Sequence, residues 1–450
     1  MMLISGFVCA LAILFIVMAW KLFDLRIERD FFLLLLIVEV WVYLFLAPTV
    51  NFPIEDDERQ VRYVAVELSL LLLFMVPMIM TYRKHMTRAM PSETNRVGLS
   101  VNPNGALIAS IGIILVTIGF VATISLNELV FVRLSTGLPE AKAELSLIEL
   151  GLLRIFGRGG YAIVGLAFLM WRLADVGSLV RKTSGLALLT SGIVLFLFSI
   201  VNSRLLSVLM VFFLVGLWYV TGGRLKMKRR TKKILVVVAA LVLIYSYRVV
   251  INVRSNFFFE GIKLEYFDPF YKSPEISGGE FWSRLDLVFF ISEITPGASR
   301  DGFALGAVWS VPIFLTYAPL FYPEESEYLK KTFMTDAESH LMVRYTDLHN
   351  ETMDVNSGRV TDAYGNFFVF GFLLAAYIMA RLLVYSTVTF FRGGSSFRIV
   401  LSFFIIAQLL IFEDDLINLP LSLIKAMVVI IPFSMCKPFS TRYVFRPEKA

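Results

Sequence analysis

The sequence predicts an all-α fold, a polytopic transmembrane helical bundle of about eleven spans with one large outer loop. Apolar runs of roughly 18 to 25 residues, the length a bilayer's hydrocarbon core demands of a spanning helix, recur along the whole chain. The connections between them are strongly basic every second time, at Arg83/Lys84/Arg88, Arg172/Arg181/Lys182, Arg224 to Lys233, Arg392/Arg398 and Lys437/Arg442/Arg446. Lys and Arg are retained on the cytoplasmic side, so these loops should face the cytoplasm and residues 250–361 should face outward. Composition agrees. Of the 450 residues 57% are hydrophobic and 17% charged, and the mean hydropathy is +0.74, values no soluble domain of this length tolerates on its surface.

In chain order, the apolar windows place spans near residues 3–22, 31–50, 62–82, 104–125, 147–171, 185–201, 205–221, 234–252, 362–390, 399–412 and 416–436. The first has no positive segment before it and no small-residue cleavage site after it, so it reads as a retained span and not a signal peptide. Lys21, Arg26 and Arg29 follow it, which puts the amino terminus outside and the tail carrying Lys437, Arg442, Arg446 and Lys449 inside. The stretch Ala304 to Tyr322 is apolar, but Pro312 and Pro319 interrupt it, which favours a re-entrant or interfacial helix over a twelfth span. The chain therefore divides into helices one to eight (1–249), a large outer loop with interfacial helices (250–361), periplasmic if the membrane is a bacterial inner membrane, and helices nine to eleven with a cytoplasmic tail (362–450). No matched broken helices of the kind inverted-repeat transporters carry are evident.

The formal net charge is +6, yet the cations sit at span ends and form no stripe, so nucleic acid is not an expected partner. Cys9 and Cys436 lie in apolar segments at opposite ends of the chain and build neither a disulfide framework nor a cysteine metal site. No HExxH, EF-hand or Asp-x-Asp pattern occurs, so neither metal nor cofactor is expected.

The outer face holds an unusual supply of arginine: Arg133, Arg154, Arg158, Arg204, Arg248, Arg254, Arg284, Arg300, Arg344 and Arg359. Positive charge is normally depleted there, and an anionic ligand is one reason to keep it; snorkelling to phospholipid headgroups is the other. Arg204 follows Asn202-Ser203 where two spans leave almost no loop, which sets its guanidinium at the membrane surface, at the level of a lipid phosphate or pyrophosphate. Arg154 and Arg158 share a helical face ahead of Gly159-Gly160, a pairing that suits a diphosphate or an ion pair closing onto Glu149. The long loop adds Asp286, Glu293, Asp301, Asp336, Glu338, Asp347 and Asp354, with His340 and His349. A histidine or a carboxylate of raised pKa could take a proton from an acceptor hydroxyl, but spacing alone selects none of them. At the start of the ninth span, Thr361 or Asp362 can cap the helix, and Asp362 and Asn366 fall on one face.

Asp362-Ala363-Tyr364-Gly365-Asn366-Phe367-Phe368-Val369-Phe370-Gly371 resembles the acidic-x-Tyr-x-Asn-Phe-Gly-x-x-Gly signature of the Wzy-type O-antigen (oligosaccharide repeat-unit) polymerases. Phe368 stands where that family usually has glycine. Asn202-Ser203-Arg204-Leu205-Leu206 is similar to the Ser-Arg element between two middle spans of the same family. The resemblance implies a metal-independent glycosyltransferase of the bacterial inner membrane that moves a growing undecaprenyl-pyrophosphate-linked glycan onto the next lipid-linked repeat unit. A polysaccharide chain-length regulator would be a partner. It also implies roles: Arg204, Arg248 and Arg254 clamp the diphosphate, Arg154 and Arg158 form a second anion site, and Arg284 contributes to substrate binding. Asp362 is a catalytic candidate that positions the acceptor with Tyr364 and Asn366, and His349 is the candidate base. His349-Asn350 also resembles an element of the O-antigen ligases, which leaves transfer of polymer to lipid A core as an alternative. A polysaccharide-lipid flippase or secondary transporter is the alternative of another class, with Lys425, Arg381 and Glu413 to Asp415 as its charged candidates.

Overall fold

The computed structural model describes residues 2–52, 57–90, 97–126, 160, 162–202, 204–221, 265, 268, 286–302, 304, 305, 309, 313, 358–410 and 416–443. These residues are mostly helical. In chain order the elements are α1 (Met2–Leu22), α2 (Ile27–Trp41), α3 (Asp57–Leu70), α4 (Val76–Ala89), β1 (Val97–Val101), α5 (Pro103–Leu126), α6 (Ala162–Leu173), α7 (Leu179–Asn202), α8 (Arg204–Val220), α9 (Leu287–Asp301), α10 (Gly358–Phe367), α11 (Val369–Arg392), α12 (Ser396–Leu409), α13 (Asn418–Met435) and β2 (Phe439–Tyr443). Among the described residues five helical stretches, Met2–Leu22, Arg29–Val50, Asp57–Ala89, Pro103–Ala122 and Val369–Arg392, are long and apolar enough to cross a membrane. The expected spans near 147–171 and 234–252 lie partly or wholly outside the described residues, as does most of the outer loop.

Two of these stretches run through π-helical turns. Val42–Leu46 joins α2 to a last turn at Ala47–Val50, and Leu71–Met75 joins α3 to α4. A π turn inserts an extra residue into the hydrogen-bond ladder and re-aims the side chains that follow it. Pro77 lies just after the second π turn, inside the continuous Asp57–Ala89 helix, and having no N–H it removes one donor from the ladder there.

The chain forms two compact units. The first comprises Met1–Glu93, Ser277–Val388 and Gln408–Lys425, the second Thr94–Ile276, Thr389–Ala407 and Ala426–Ala450. In the first unit, polar ties join the helices at both ends. At one end the carboxylate of Asp30, fully buried, pairs with Arg29 at 2.7 Å and accepts from the Tyr82 hydroxyl at 2.9 Å. At the opposite end of the same helices Asp286 accepts from Asn51 Nδ2 at 3.1 Å and from the Tyr63 hydroxyl. Between them lies an apolar core that includes Phe32, Phe45, Phe74 and Met78. Asp57 and Glu58 open α3, where the positive end of the helix dipole favours them, and Asp286 caps α9 by accepting from Phe289 N at 3.0 Å.

In the second unit α5 packs along α7, with Ser110 and Ser184 hydroxyls 2.8 Å apart. Phe403 is a hub whose ring meets Phe213, Phe390 and Phe439. Arg172 lies over the Trp218 ring and Arg181 over Trp171. β1 and β2 pair antiparallel, Val97 opposite Tyr443 and Val101 opposite Phe439. Gly105 fits where it does because a side chain would overlap the carbonyls of Cys436 and Lys437.

Two sequence expectations are corrected. The ninth span does not run unbroken from 362 to 390: α10 ends at Phe367 and α11 starts at Val369, with Phe368 between them at φ +56. That left-handed conformation, uncommon for a non-glycine residue, interrupts the helix. Thr361 and Asp362 are not caps either, because α10 begins at Gly358 and both sit inside it.

Candidate functional site

The α10–α11 junction holds one of the buried polar clusters of the first unit. Residues four apart in a helix share a face, and Asn366 Nδ2 accordingly donates to Asp362 Oδ1 at 3.0 Å and to the Asp362 carbonyl at 2.9 Å. Trp309 Nε1 donates to the same oxygen at 2.6 Å, and Ile417 N donates to Oδ2 at 3.3 Å. Asp362 and Asn366 are both fully buried. α10 precedes the Val369–Arg392 span. Burial pushes the Asp362 carboxyl up to about 6, against hydrogen bonds from Trp309, Ile417, Leu416 and Asn366 that favour the ionised form. An acid of that strength is largely ionised at neutral pH and close enough to it to exchange a proton there.

Tyr364 follows Asp362 by two residues and faces away from this carboxylate. Its ring stacks on Phe372 at 5.2 Å between centroids and its hydroxyl meets Thr295 Oγ1 at 3.0 Å, which ties α10 to α9. Burial raises its pKa above the usual phenol value, and the Thr295 hydrogen bond opposes this. The last carbonyls of α10, which a helix end leaves unpaired, accept from Ala304 N (Gly365, 3.3 Å) and Leu305 N (Asn366, 2.9 Å). Phe368 N returns to the Tyr364 carbonyl at 2.6 Å and Gly371 N to the Phe368 carbonyl at 2.8 Å, closing the turn. Any side chain at Gly371 would overlap the Ala363 carbonyl, so glycine is what lets the two helices meet.

Arg359, one turn before Asp362, was expected among the outer arginines that await an anion. Its guanidinium is instead fully buried and donates to the carbonyls of Leu409, at 3.0 Å, and Gln408. Those carbonyls end α12, where a cation satisfies unpaired acceptors and the negative end of the dipole.

At the other end of α9, Asp286 has one carboxylate oxygen on Phe289 N and the other on Asn51 and Tyr63. Burial pushes this acid up to about 6 as well, the hydrogen bonds holding it down in part. Arg59 pairs with Glu293 at 2.8 Å and lies 4.7 Å over the Phe289 ring. Thus α9 carries Asp286, Glu293 and Thr295 in sequence and links two polar clusters.

Of the residues singled out from sequence, the structure brings together Asp362 and Asn366, while Tyr364 of the same helix turns to Thr295 and Phe372. α7 ends at Asn202 and Arg204 is the first residue of α8. His349, Arg154, Arg158, Arg248, Arg254 and Arg284 lie outside the described residues, as do Glu413 to Asp415. Arg381 reaches His85 Nδ1 at 2.8 Å. Sequence reasoning missed Trp309, Asn51, Tyr63 and Arg59. The Trp309–Asp362 and Tyr63–Asp286 pairs are 53 and 223 positions apart, so no local spacing signals them.

Taken together, the described residues form a helical protein with several helices able to cross a membrane and a polar cluster where one of them begins. No protein-family model, curated protein or solved structure matches the chain.

Proposed function

We propose that this protein is a multi-pass enzyme of the bacterial inner membrane that polymerises lipid-linked oligosaccharide repeat units, of the kind that O-antigen polymerases assemble. The observation that supports this most is that two residues carrying the resemblance, Asp362 and Asn366, are hydrogen-bonded in one buried polar cluster directly ahead of the apolar Val369–Arg392 helix, with Tyr364 on the same short helix bonded to Thr295. In this reading about eleven spans set the large loop in the periplasm and the carboxyl terminus in the cytoplasm. The growing glycan leaves its undecaprenyl pyrophosphate, and an acceptor hydroxyl on the next lipid-linked unit attacks in its place. Arg204, Arg248 and Arg254 stabilise the departing diphosphate, Arg154, Arg158 and Arg284 hold further anionic substrate groups, and His349 takes the acceptor proton. The Asp362 carboxylate, saturated by Trp309, Asn366 and Ile417, orders the junction on which Tyr364 and Asn366 position the acceptor. The chemistry uses neither nucleotide sugar nor metal, and a chain-length regulator would act on the same enzyme.

The test is the lipopolysaccharide ladder of a strain deleted for the gene, with and without plasmid complementation. Loss of the ladder with a single repeat unit still attached to core, restored by the plasmid, is the expected result. Core bearing no repeat unit at all would replace this reading with a ligase or a flippase.

A further inference from the structure

The oxygens between α1, the end of α2 and α3 lack a positive charge. Glu67, fully buried in the Asp57–Ala89 stretch, accepts from the Ser5 hydroxyl through Oε1 at 2.8 Å, and its Oε2 is buried with no hydrogen-bond partner among the described residues. Ser5 Oγ also lies 3.2 Å from Thr49 Oγ1. A hydroxyl has one proton to donate. That of Ser5 goes to Glu67, so only Thr49, which also lies 2.7 Å from the Phe45 carbonyl, has a proton for the Ser5–Thr49 contact. The two hydroxyls thus turn oxygen lone pairs towards a carboxylate oxygen that has no donor among the described residues.

No Lys or Arg among the described residues pairs with Glu67. The titratable groups around it are the Cys9 thiol of α1, beside Thr49, and Tyr63 of its own helix with Asp286 of α9 one turn away. Arg59 lies a further turn along α3, with its charge engaged by Glu293. Two acids buried this close, with the neighbouring cation spoken for, cannot both remain bare anions. A carboxylate held inside an apolar helix needs a counter-charge, and here the counter-charge is missing. Both π-helical turns flank the spot: Phe45 belongs to Val42–Leu46, and Leu71–Met75 begins one turn after Glu67. Such turns recur at functional sites because they free backbone carbonyls and re-aim side chains.

We propose that Glu67, Ser5 and Thr49 form a binding site for one small monovalent cation, a sodium ion or a proton, which neutralises the Glu67 carboxylate between three helices. Sodium would sit against Glu67 Oε2 and the Ser5 and Thr49 hydroxyl oxygens; a proton would reside on the carboxylate itself. The site is independent of the proposed polymerase reading.

Thermal unfolding of the purified full chain in detergent tests it, with wild type compared to Glu67→Gln. For sodium, replacing choline chloride by sodium chloride at pH 8 raises the wild-type Tm saturably, by roughly 2–8 °C, and leaves Glu67→Gln unmoved. For a proton, sodium has no effect, and lowering the pH from 8 to 6 in choline chloride raises the wild-type Tm more than that of Glu67→Gln. Ser5→Ala, which retains the acid, should shift the midpoint of the effective ion by about tenfold. Identical responses of wild type and Glu67→Gln to both sodium and pH, or a Ser5→Ala midpoint that stays in place, would overturn the site.

Discussion

Tyr63 on α3 donates its phenolic hydrogen to Asp286, the residue that caps α9, and this one bond fixes the start of α9 against the amino-terminal helices. Asn51 donates to the same oxygen, so the carboxylate is fully partnered although wholly buried. Deleting the phenol hydroxyl alone leaves Asp286 short of a donor. Tyr63→Phe should lower stability by about 1–3 kcal/mol, the cost of an unsatisfied buried acceptor. Thermal unfolding in detergent measures it, and an unchanged Tm would mean that the bond contributes nothing.

The two buried acids outside the spans set a pH dependence. Asp286 and Asp362 are each raised from 3.8 to about 6 by burial, so the folded chain holds protons that the unfolded chain releases between those values. Their contribution to stability is fully present below about pH 4 and is lost as the pH rises through about 6, on the order of 3 kcal/mol for each group. Asp286→Asn and Asp362→Asn should each flatten the fall in Tm between pH 4 and pH 7. A slope unchanged in either variant would show that the acid titrates at its ordinary value.

At Phe368 the usual order of helix formers should invert. Phe368→Ala and Phe368→Gly both remove the ring that packs 5.2 Å from Tyr364, but only alanine must still hold φ at +56. The glycine variant should therefore be the more stable of the two by about 1 kcal/mol, whereas inside an ordinary helix glycine is the less stable by a similar amount. Unfolding of the two variants side by side decides it, and an alanine variant equal to or better than glycine would refute the strained conformation.

Gly371 and Gly112 make a contrast within helices. A Cβ at Gly371 would overlap the Ala363 carbonyl, whereas one at Gly112 meets nothing within 4 Å. Gly371→Ala should cost about 1–3 kcal/mol, because backbone must move to admit it. Gly112→Ala should be neutral or stabilise by up to about 1 kcal/mol, through lower entropy of the unfolded chain. Comparable Tm values for the two variants would contradict the close approach of α10 to α11.

Helix positions were legible in the sequence because the hydrocarbon core demands long apolar runs, and α1, α5 and the α3–α4 stretch all fall where those runs lie. The shared face of Asp362 and Asn366 was legible from their spacing. The break at Phe368 was not, since a phenylalanine in an apolar run carries no mark of left-handed backbone. Arg359 was misread for a related reason: composition shows an arginine near a membrane surface, but only the fold shows that the end of α12 supplies its acceptors. Trp309, Tyr63 and Asn51 gave no signal, because their partners are brought to them by tertiary contact alone.

The proposed reaction makes its sharpest demand on Arg204 and Asp362 together. Arg204→Ala would remove a guanidinium assigned to the leaving diphosphate, and loss of one such electrostatic contact typically slows a reaction by about 100-fold or more. Asp362→Asn keeps the shape of the side chain but turns one acceptor of Trp309, Asn366 or Ile417 into a donor, so it should disturb the junction without emptying it. Both variants should shorten or abolish the lipopolysaccharide ladder in the complemented deletion strain while the protein remains in the membrane at wild-type level. Their responses should differ in kind. For Arg204→Ala the loss should appear in polymer length with Tm unchanged, whereas for Asp362→Asn polymer length and the pH profile of Tm should change together. A full-length ladder from Arg204→Ala would remove that arginine from the reaction, and a full-length ladder from Asp362→Asn would reduce the α10 cluster to a structural joint.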